Sequence, residues 1–478
     1  MAPHDGAGKF QYPFLWGRRS AGKFQCPFLW GRRKYMDVLK YGRSLSPAQI
    51  IVYSFALFIL AGTALLMLPA ATVDGAGATF TDALFTIVSA VCVTGLSVQD
   101  TGTYWTFFGQ AVILFAIQVG GLGVVTAAIS LTVFSGRKIG LMQRNTMQEA
   151  LAAPQLKGIV QLVLFILKYV AIIELVGTLL LYTVFAPQYG WVTGWWYAMF
   201  HAISAFCNAG FDIMGPAGGG SLTTYEFNPV VNTVIMLLII IGGLGFMTWA
   251  DVRTHGFHIR AYRLQSKIIL IMTAVLIIVP TLIFYATEFG QNHDTMYLFP
   301  AMFQAVTTRT AGFNSVDLMT LSESNRAILI LLMLVGGAPG STAGGIKTTT
   351  AFALLASVWA MMRRSSDISC FGRRISEDTL HKATVLFMMY LLLIIFSTIF
   401  ISALDDFSIL DSCFETVSAI ATVGLSIGIT DQLSTLSKYI LIFLMFFGRV
   451  GALTFVFAVH SKFDGTRSHY VKEDVVIG

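Results

Sequence analysis

The stretch Leu334-Val-Gly-Gly-Ala-Pro-Gly-Ser-Thr-Ala-Gly-Gly-Ile-Lys-Thr348 interrupts an apolar segment that runs from about Arg326 to Arg363. As one α-helix that segment would be roughly 55 Å long, against about 30 Å of bilayer hydrocarbon. Five glycines and a proline fall in the ten residues Gly336 to Gly345, so a continuous helix is excluded. Irregular backbone within a membrane persists only where protein buries it or where it lines a wet cavity. The stretch therefore predicts two half-helices joined by an intramembrane loop beside a water-filled path.

That the chain lives in a membrane follows from its totals. Of 478 residues, 55% are hydrophobic and only 12% charged, with a mean hydropathy of +0.72. The apolar runs 49–70, 108–134, 159–186, 231–250, 267–287, 326–362 (broken), 383–404 and 438–459 give eight spanning candidates. Ser46-Leu-Ser-Pro opens the first as a serine cap with proline in the first turn. Between members of each pair lies a shorter apolar helix former, at 82–93, 196–207, 297–308 and 411–421. About 12 residues make about 18 Å, which suits a re-entrant helix. The expected fold is an all-α polytopic membrane protein with four span–short helix–span repeats around a central pore. The repeats would occupy 46–136, 137–252, 253–364 and 365–460.

The repeats align by hand. Asp82-Ala-Leu-Phe-Thr-Ile-Val-Ser-Ala-Val-Cys-Val-Thr-Gly-Leu-Ser97 matches Asp411-Ser-Cys-Phe-Glu-Thr-Val-Ser-Ala-Ile-Ala-Thr-Val-Gly-Leu-Ser426 without a gap. Phe200-His-Ala-Ile-Ser-Ala-Phe-Cys-Asn-Ala-Gly-Phe211 keeps the Phe, Ser-Ala and Gly; Phe303-Gln-Ala-Val-Thr-Thr-Arg-Thr-Ala-Gly-Phe313 is one residue shorter. Each short helix ends in a glycine (Gly95, Gly210, Gly312, Gly424), and a second glycine follows in the next span (Gly120, Gly242, Gly336, Gly448).

Lysine and arginine concentrate in the linkers 135–158, 251–267 and 363–382. The opposite side carries mainly acids, among them Asp100, Asp212, Glu226, Asp294, Asp317, Asp405, Asp406 and Asp431. The positive-inside rule then places both termini in the cytoplasm and lets the short helices enter from outside. Their C-terminal dipole ends would focus negative potential at mid-membrane, which favours a cation. The extended residues after each helix could replace a monovalent ion's hydration shell with carbonyl oxygens. These are Val93, Thr94, Gly95 and Leu96; Asn208, Ala209, Gly210 and Phe211; Thr310, Ala311, Gly312 and Phe313; and Thr422, Val423, Gly424 and Leu425. One such glycine could merely allow close helix packing; four in register favour a pore lining.

Arg449 lies mid-way in the run 438–459, directly after Gly448, and a buried arginine there should face the bundle interior. It forms the expected gate with the loop residues Gly336, Gly337, Pro339, Gly340, Gly344, Gly345 and Lys347, although Lys347 could equally snorkel to the cytoplasm. Arg449 could also be a purely structural clamp. Asp100, Asp212, Asp317 and Asp431 would either gather cations at the outer mouth or be ordinary solvated loop charges. His201 reads as a packed, hydrogen-bonded histidine. Gly345-Ile-Lys-Thr lacks the Gly-Lys adjacency of a phosphate loop. The five cysteines show no metal or disulfide spacing. Residues 1–45 form a basic tail in which Ala-Gly-Lys-Phe-Gln-Tyr-Pro-Phe-Leu-Trp-Gly-Arg-Arg (7–19) recurs 14 residues later, at 21–33, with Cys26 in place of Tyr12. It is either a membrane-surface or docking segment or a dispensable duplication ahead of Met36. A short tail, 461–478, closes the chain.

Taken together, Thr94-Gly-Leu-Ser97, Asn208-Ala-Gly-Phe211, Arg309-Thr-Ala-Gly-Phe-Asn-Ser315, Thr422-Val-Gly-Leu-Ser426, Gly340-Ser-Thr-Ala-Gly-Gly-Ile-Lys347 and Phe447-Gly-Arg-Val-Gly451 resemble the Trk, Ktr and HKT superfamily of potassium transporters over essentially all of 47–478. Within it they look most like the KtrB-type subunits. The resemblance implies potassium (K+) uptake across the cell membrane, with sodium (Na+) as activator or co-ion. It also implies a homodimer on a cytoplasmic KtrA-type ring, whose ATP or ADP state moves the loop 336–346, and neither enzymatic activity nor nucleic-acid binding. The duplicated tail departs from the family pattern. An alternating-access symporter with a midplane site is the competing expectation, since broken helices and repeats suit both.

Overall fold

Helix starts follow the caps written in the sequence. The computed structural model describes residues 45–134, 140–151, 158–217, 220–289, 295–365 and 367–459. Both tails lie outside these residues, as do Arg137, Lys138, Lys157 and Asp294. Ser46 caps α1 (Pro47–Leu66) in a full capping box with Gln49. Thr79 caps α2 (Phe80–Cys92), and Thr106 caps α3 (Phe107–Leu122). Then come α4 (Val124–Phe134), α5 (Leu141–Ala150), α6 (Ile159–Tyr189) and α7 (Trp191–Phe206).

Asn228 and Pro229 open α8 (Pro229–Gly243), which is followed by α9 (Phe246–His255), α10 (Leu264–Phe284) and α11 (Leu298–Thr307). The run ends with α12 (Glu323–Met333), α13 (Thr348–Met362), α14 (Glu377–Asp405), α15 (Ile409–Ile420), α16 (Thr435–Val450) and α17 (Ala452–Val459). Among the described residues the all-helical pattern is broken by one two-residue hairpin, Ser369–Cys370 against Arg373–Arg374.

The short helices α2, α7, α11 and α15 occupy the expected places with shifted ends. The second begins at Trp191 rather than 196, because Gly190 at φ +82° reverses the chain directly from α6. Gly194 then lets α7 lie against the backbone of Ala186, where a methyl group would sit 2.8 Å from the Ala186 Cα.

Three expected straight spans are bent. The helix axis turns by 95° between α3 and α4, 94° between α8 and α9, and 97° between α16 and α17. At each bend stands a glycine with positive φ, Gly123, Gly245 and Gly451, a backbone state that strains any other residue. Four described helices are long and apolar enough to cross a membrane, and the three bent pairs raise the number to seven. The expected eighth is divided between α12 and α13. Neither half alone, at about 17 and 23 Å, covers a hydrocarbon core.

The helices close into a ring. The helix after each re-entrant one packs against the next repeat's re-entrant helix: α3 on α7, α8 on α11, α12 on α15, and α16 back on α2. The aligned phenylalanines Phe85, Phe200, Phe303 and Phe414 fill the core between them, all at most 1% exposed.

Candidate ion-conduction site

Each short helix ends on a Cβ-bearing residue in the left-handed region: Val93 (φ 57°), Asn208 (58°), Thr310 (64°) and Thr422 (51°). This turn satisfies carbonyls that a helix end leaves open. Thr94 N–H donates to the Ser89 carbonyl, Ala209 to Ser204 and Val423 to Ser418, each at 2.8 Å, and Ala311 donates to Thr307 at 2.9 Å. Two residues after the turn, Gly95, Gly210, Gly312 and Gly424 return to positive φ, between 68° and 98°.

Those four glycines converge. A methyl group on Gly95 would lie 2.5 Å from the Ala209 carbonyl oxygen, and 3.3 Å from the Cα atoms of both Gly210 and Gly424. On Gly210 it would meet the Ala311 oxygen at 2.5 Å, on Gly312 the Val423 oxygen at 2.5 Å, and on Gly424 the Thr94 oxygen. Neighbour follows neighbour until the ring shuts. Backbone carbonyls line the seams, and no side chain can enter.

Hydroxyls brace the turns from behind, a role sequence reading did not assign to the repeated Ser-Ala pair. Ser89 Oγ accepts from Gly95 N–H (3.1 Å) and Ser418 Oγ from Gly424 N–H (3.0 Å). Ser204 donates to the Phe211 carbonyl (2.7 Å) and Thr307 to that of Phe313 (2.6 Å). Those two oxygens each keep one lone pair for another partner.

Above the glycines opens a cavity of about 1010 Å³ lined by Asp100, Asp212, Glu226, Glu288, Asp317 and Asp431. All four acids expected at an outer mouth stand here. Burial pushes the Asp212 carboxyl up to about 6; the N–H of Met214 opposes the rise and the charge of Asp100 adds to it. His201 is fully buried with Nδ1 2.7 Å from the Tyr197 carbonyl and its ring beside Phe185, Phe200 and Phe313, the packed histidine expected.

Below, the glycine-rich loop crosses from one wall to another. Ala338 N–H donates to Gly243 (2.9 Å), Thr342 N–H to Gly242 (3.3 Å), and Phe246 N–H to the Gly340 carbonyl (2.8 Å). Gly344 lies against the Thr422 side chain and Gly345 against Ala421, contacts that leave no room for a Cβ at Gly344. A methyl group on Gly340 would stand 2.6 Å from the Leu151 carbonyl at the end of α5.

Asn208 links loop and turn: its Nδ2 donates to the Arg309 carbonyl (3.1 Å), and its Oδ1 accepts from Thr342 Oγ1 (2.9 Å). Arg449 bonds the Thr342 and Gly120 carbonyls and reaches that of Gly121 at 3.1 Å. Lys347 does not extend away. Its Nζ turns back onto the carbonyls of Ala343 (2.7 Å) and Gly344 (3.3 Å). Beneath the loop lies a second cavity of about 380 Å³ lined by Gly340, Ser341, Lys347, Tyr390 and Arg449.

Three of the second glycines seat the short helices, since a Cβ at Gly120, Gly242 or Gly448 would strike the carbonyl of Val91, Phe206 or Ile420. Gly336 departs from the pattern and meets Gly344 and Thr310 instead. Arg309, given in the sequence only as part of a motif and without a role, is 5% exposed, and its Nε and Nη1 have no hydrogen-bond partner among the described residues.

A helical ring closed by four glycine turns and their neighbouring carbonyls, with acids above it and a pinned loop below, is the architecture of a membrane protein that handles cations. Residues 40–464 match the TrkH family, described as cation transport protein, and the chain belongs to that family. It is 37% identical over 447 residues to the potassium/sodium uptake protein NtpJ of Enterococcus hirae, covering 91% of this chain and 98% of that one. It is 39% identical over 447 residues to the Ktr system potassium uptake protein B of Bacillus subtilis, covering 92% and 98%. The crystal structure of the potassium transporter TrkH from Vibrio parahaemolyticus superposes with a TM-score of 0.70 at 17% identity, over 87% of this chain and 85% of that one. That likeness supports the fold.

Proposed function

We propose that this chain is the membrane subunit of a potassium uptake system, passing the ion through the ring built by 93–96, 208–211, 310–313 and 422–425. The observation that carries the reading is the closure of Gly95, Gly210, Gly312 and Gly424 around one line. Carbonyls held there offer a dehydrated alkali cation fixed oxygen partners at no reorganisation cost. The names of the Enterococcus and Bacillus relatives, uptake proteins for potassium or potassium/sodium, support the cargo and a part for sodium.

The loop 336–346 and Arg449 form the gate. A fixed positive charge directly under the ring opposes a cation, and its hydrogen bonds hold the loop across the path. Eight spans, four re-entrant helices and cytoplasmic termini complete the arrangement. The designation of the Bacillus relative as part of a Ktr system supports further subunits, here a second copy of the chain and a cytoplasmic nucleotide-binding ring that pulls on the loop.

Purified protein in liposomes tests the reading. Potassium entry should exceed sodium entry and should rise when the loop is freed. Equal entry of both ions in protein that remains folded overturns it.

A further inference from the structure

The residue after the aligned phenylalanine of each short helix is polar and buried in all four repeats: Thr86, His201, Gln304 and Glu415, each at most 1% exposed. Burying a polar group is costly unless it finds a partner. The partners differ by repeat. Among the described residues the Thr86 hydroxyl and the His201 Nε2 have none. Gln304 Nε2 donates to Asn314 Oδ1 at 3.4 Å, a weak tie to the residue two beyond Gly312.

Glu415 makes the same tie in a far stronger form. Its Oε1 accepts from Ser426 Oγ (2.6 Å), two beyond Gly424, and from Ile427 N–H (3.2 Å). Its Oε2 accepts from Thr430 Oγ1 (2.8 Å). Ser426 in turn accepts from Gly428 N–H (2.9 Å), so one carboxylate organises the whole segment 426–430. Among the described residues no lysine, arginine or histidine pairs with it; Arg326 goes to Asp411, one turn earlier. Three donors converging on one buried carboxyl group make a rigid anchor next to the outermost carbonyl, that of Leu425.

We infer that Glu415 is a positioning residue for ion selection, pinning the fourth turn through Ser426, Ile427 and Thr430, a tie that Thr86 and His201 do not make to the first and second turns. This rests on the filter reading above. A ring held rigidly at one corner resists shrinking onto a smaller cation, so loosening the anchor admits sodium.

The test measures potassium and sodium entry into liposomes for Glu415→Ala, Glu415→Gln and Thr430→Val, with melting temperature as the check on folding. Thr430→Val removes the one hydrogen bond that Oε2 accepts among the described residues, without touching the helix. The potassium-over-sodium ratio should fall about tenfold in Glu415→Ala, and about threefold in Glu415→Gln and Thr430→Val. Gly312→Ser runs alongside. If it lowers the ratio while folded Glu415→Ala and Thr430→Val stay within about twofold of the parent, the inference is overturned and the filter stands. If Gly312→Ser also leaves the ratio unchanged, the filter reading itself fails. A lowered melting temperature with an unchanged ratio makes Glu415 a packing residue only, which equally overturns the inference.

Discussion

Arg449 donates through Nη1 to the carbonyl oxygen of Thr342, tying the last long helix to the loop that crosses beneath the glycine ring. Its Nη2 meanwhile holds the Gly121 carbonyl at 3.1 Å, so a single guanidinium joins three repeats. The planar fork suits this task, whereas an ammonium is one compact point charge.

Replacing Arg449 with alanine should therefore raise potassium entry. Hydrogen bonds to charged groups contribute about 1.5–3 kcal/mol each, so loss of one from the closed state alone shifts gating about tenfold. Arg449→Lys should fall between. Unchanged flux in liposomes would remove Arg449 from the gate.

Thr342→Val deletes the hydroxyl that joins the loop to Asn208 but keeps the loop carbonyl bonded by Arg449. A neutral hydrogen bond contributes about 1 kcal/mol, so entry should rise about fivefold with the potassium-over-sodium ratio intact. A changed ratio would show that Asn208 needs this bond to shape the ring.

Gly312 combines φ +81° with a Cβ position 2.5 Å from the Val423 oxygen. Gly312→Ser adds a left-handed strain of about 1–2 kcal/mol and pushes the neighbouring carbonyl outward, so potassium preference should drop about tenfold. Preference is read from competing entry of the two ions. A ratio equal to the parent's would place conduction elsewhere.

External pH should tune uptake through Asp212. With its carboxyl raised to about 6, the group is ionised at pH 8 and neutral at pH 5. Acidification removes a negative charge from the outer cavity, so entry at low potassium should fall with a midpoint near that value. Saturating potassium should abolish the effect. Asp212→Asn should give low, flat entry across the range; a retained midpoint would assign the titration to another acid.

How much was legible depended on whether a feature repeats in the chain. Gly95, Gly210, Gly312 and Gly424 stood out because one motif recurs at one register, and the structure gathers them. The bends at Gly123, Gly245 and Gly451 went unnoticed, although each closes a Gly-X-X-Gly, because paired glycines equally serve straight packed helices. The Ser89, Ser204, Thr307 and Ser418 hydroxyls were visible as letters, but their use depends on how far the chain folds back after the helix. Lys347 could not be oriented from sequence, since the same flexible stem reaches the cytoplasm or the loop carbonyls. Glu415 acquires meaning only once the chain folds back after Gly424 and lays 426–430 against it.

The loop occupies one corner of the ring and leans on the other three through Gly242, Thr422 and, by way of Arg449, Gly120. Four identical subunits could not build such a barrier, for symmetry would thrust four copies at one axis too narrow for them. Joining the quarters in a single polypeptide frees each to diverge, so that one alone supplies the stopper and the rest supply its seat.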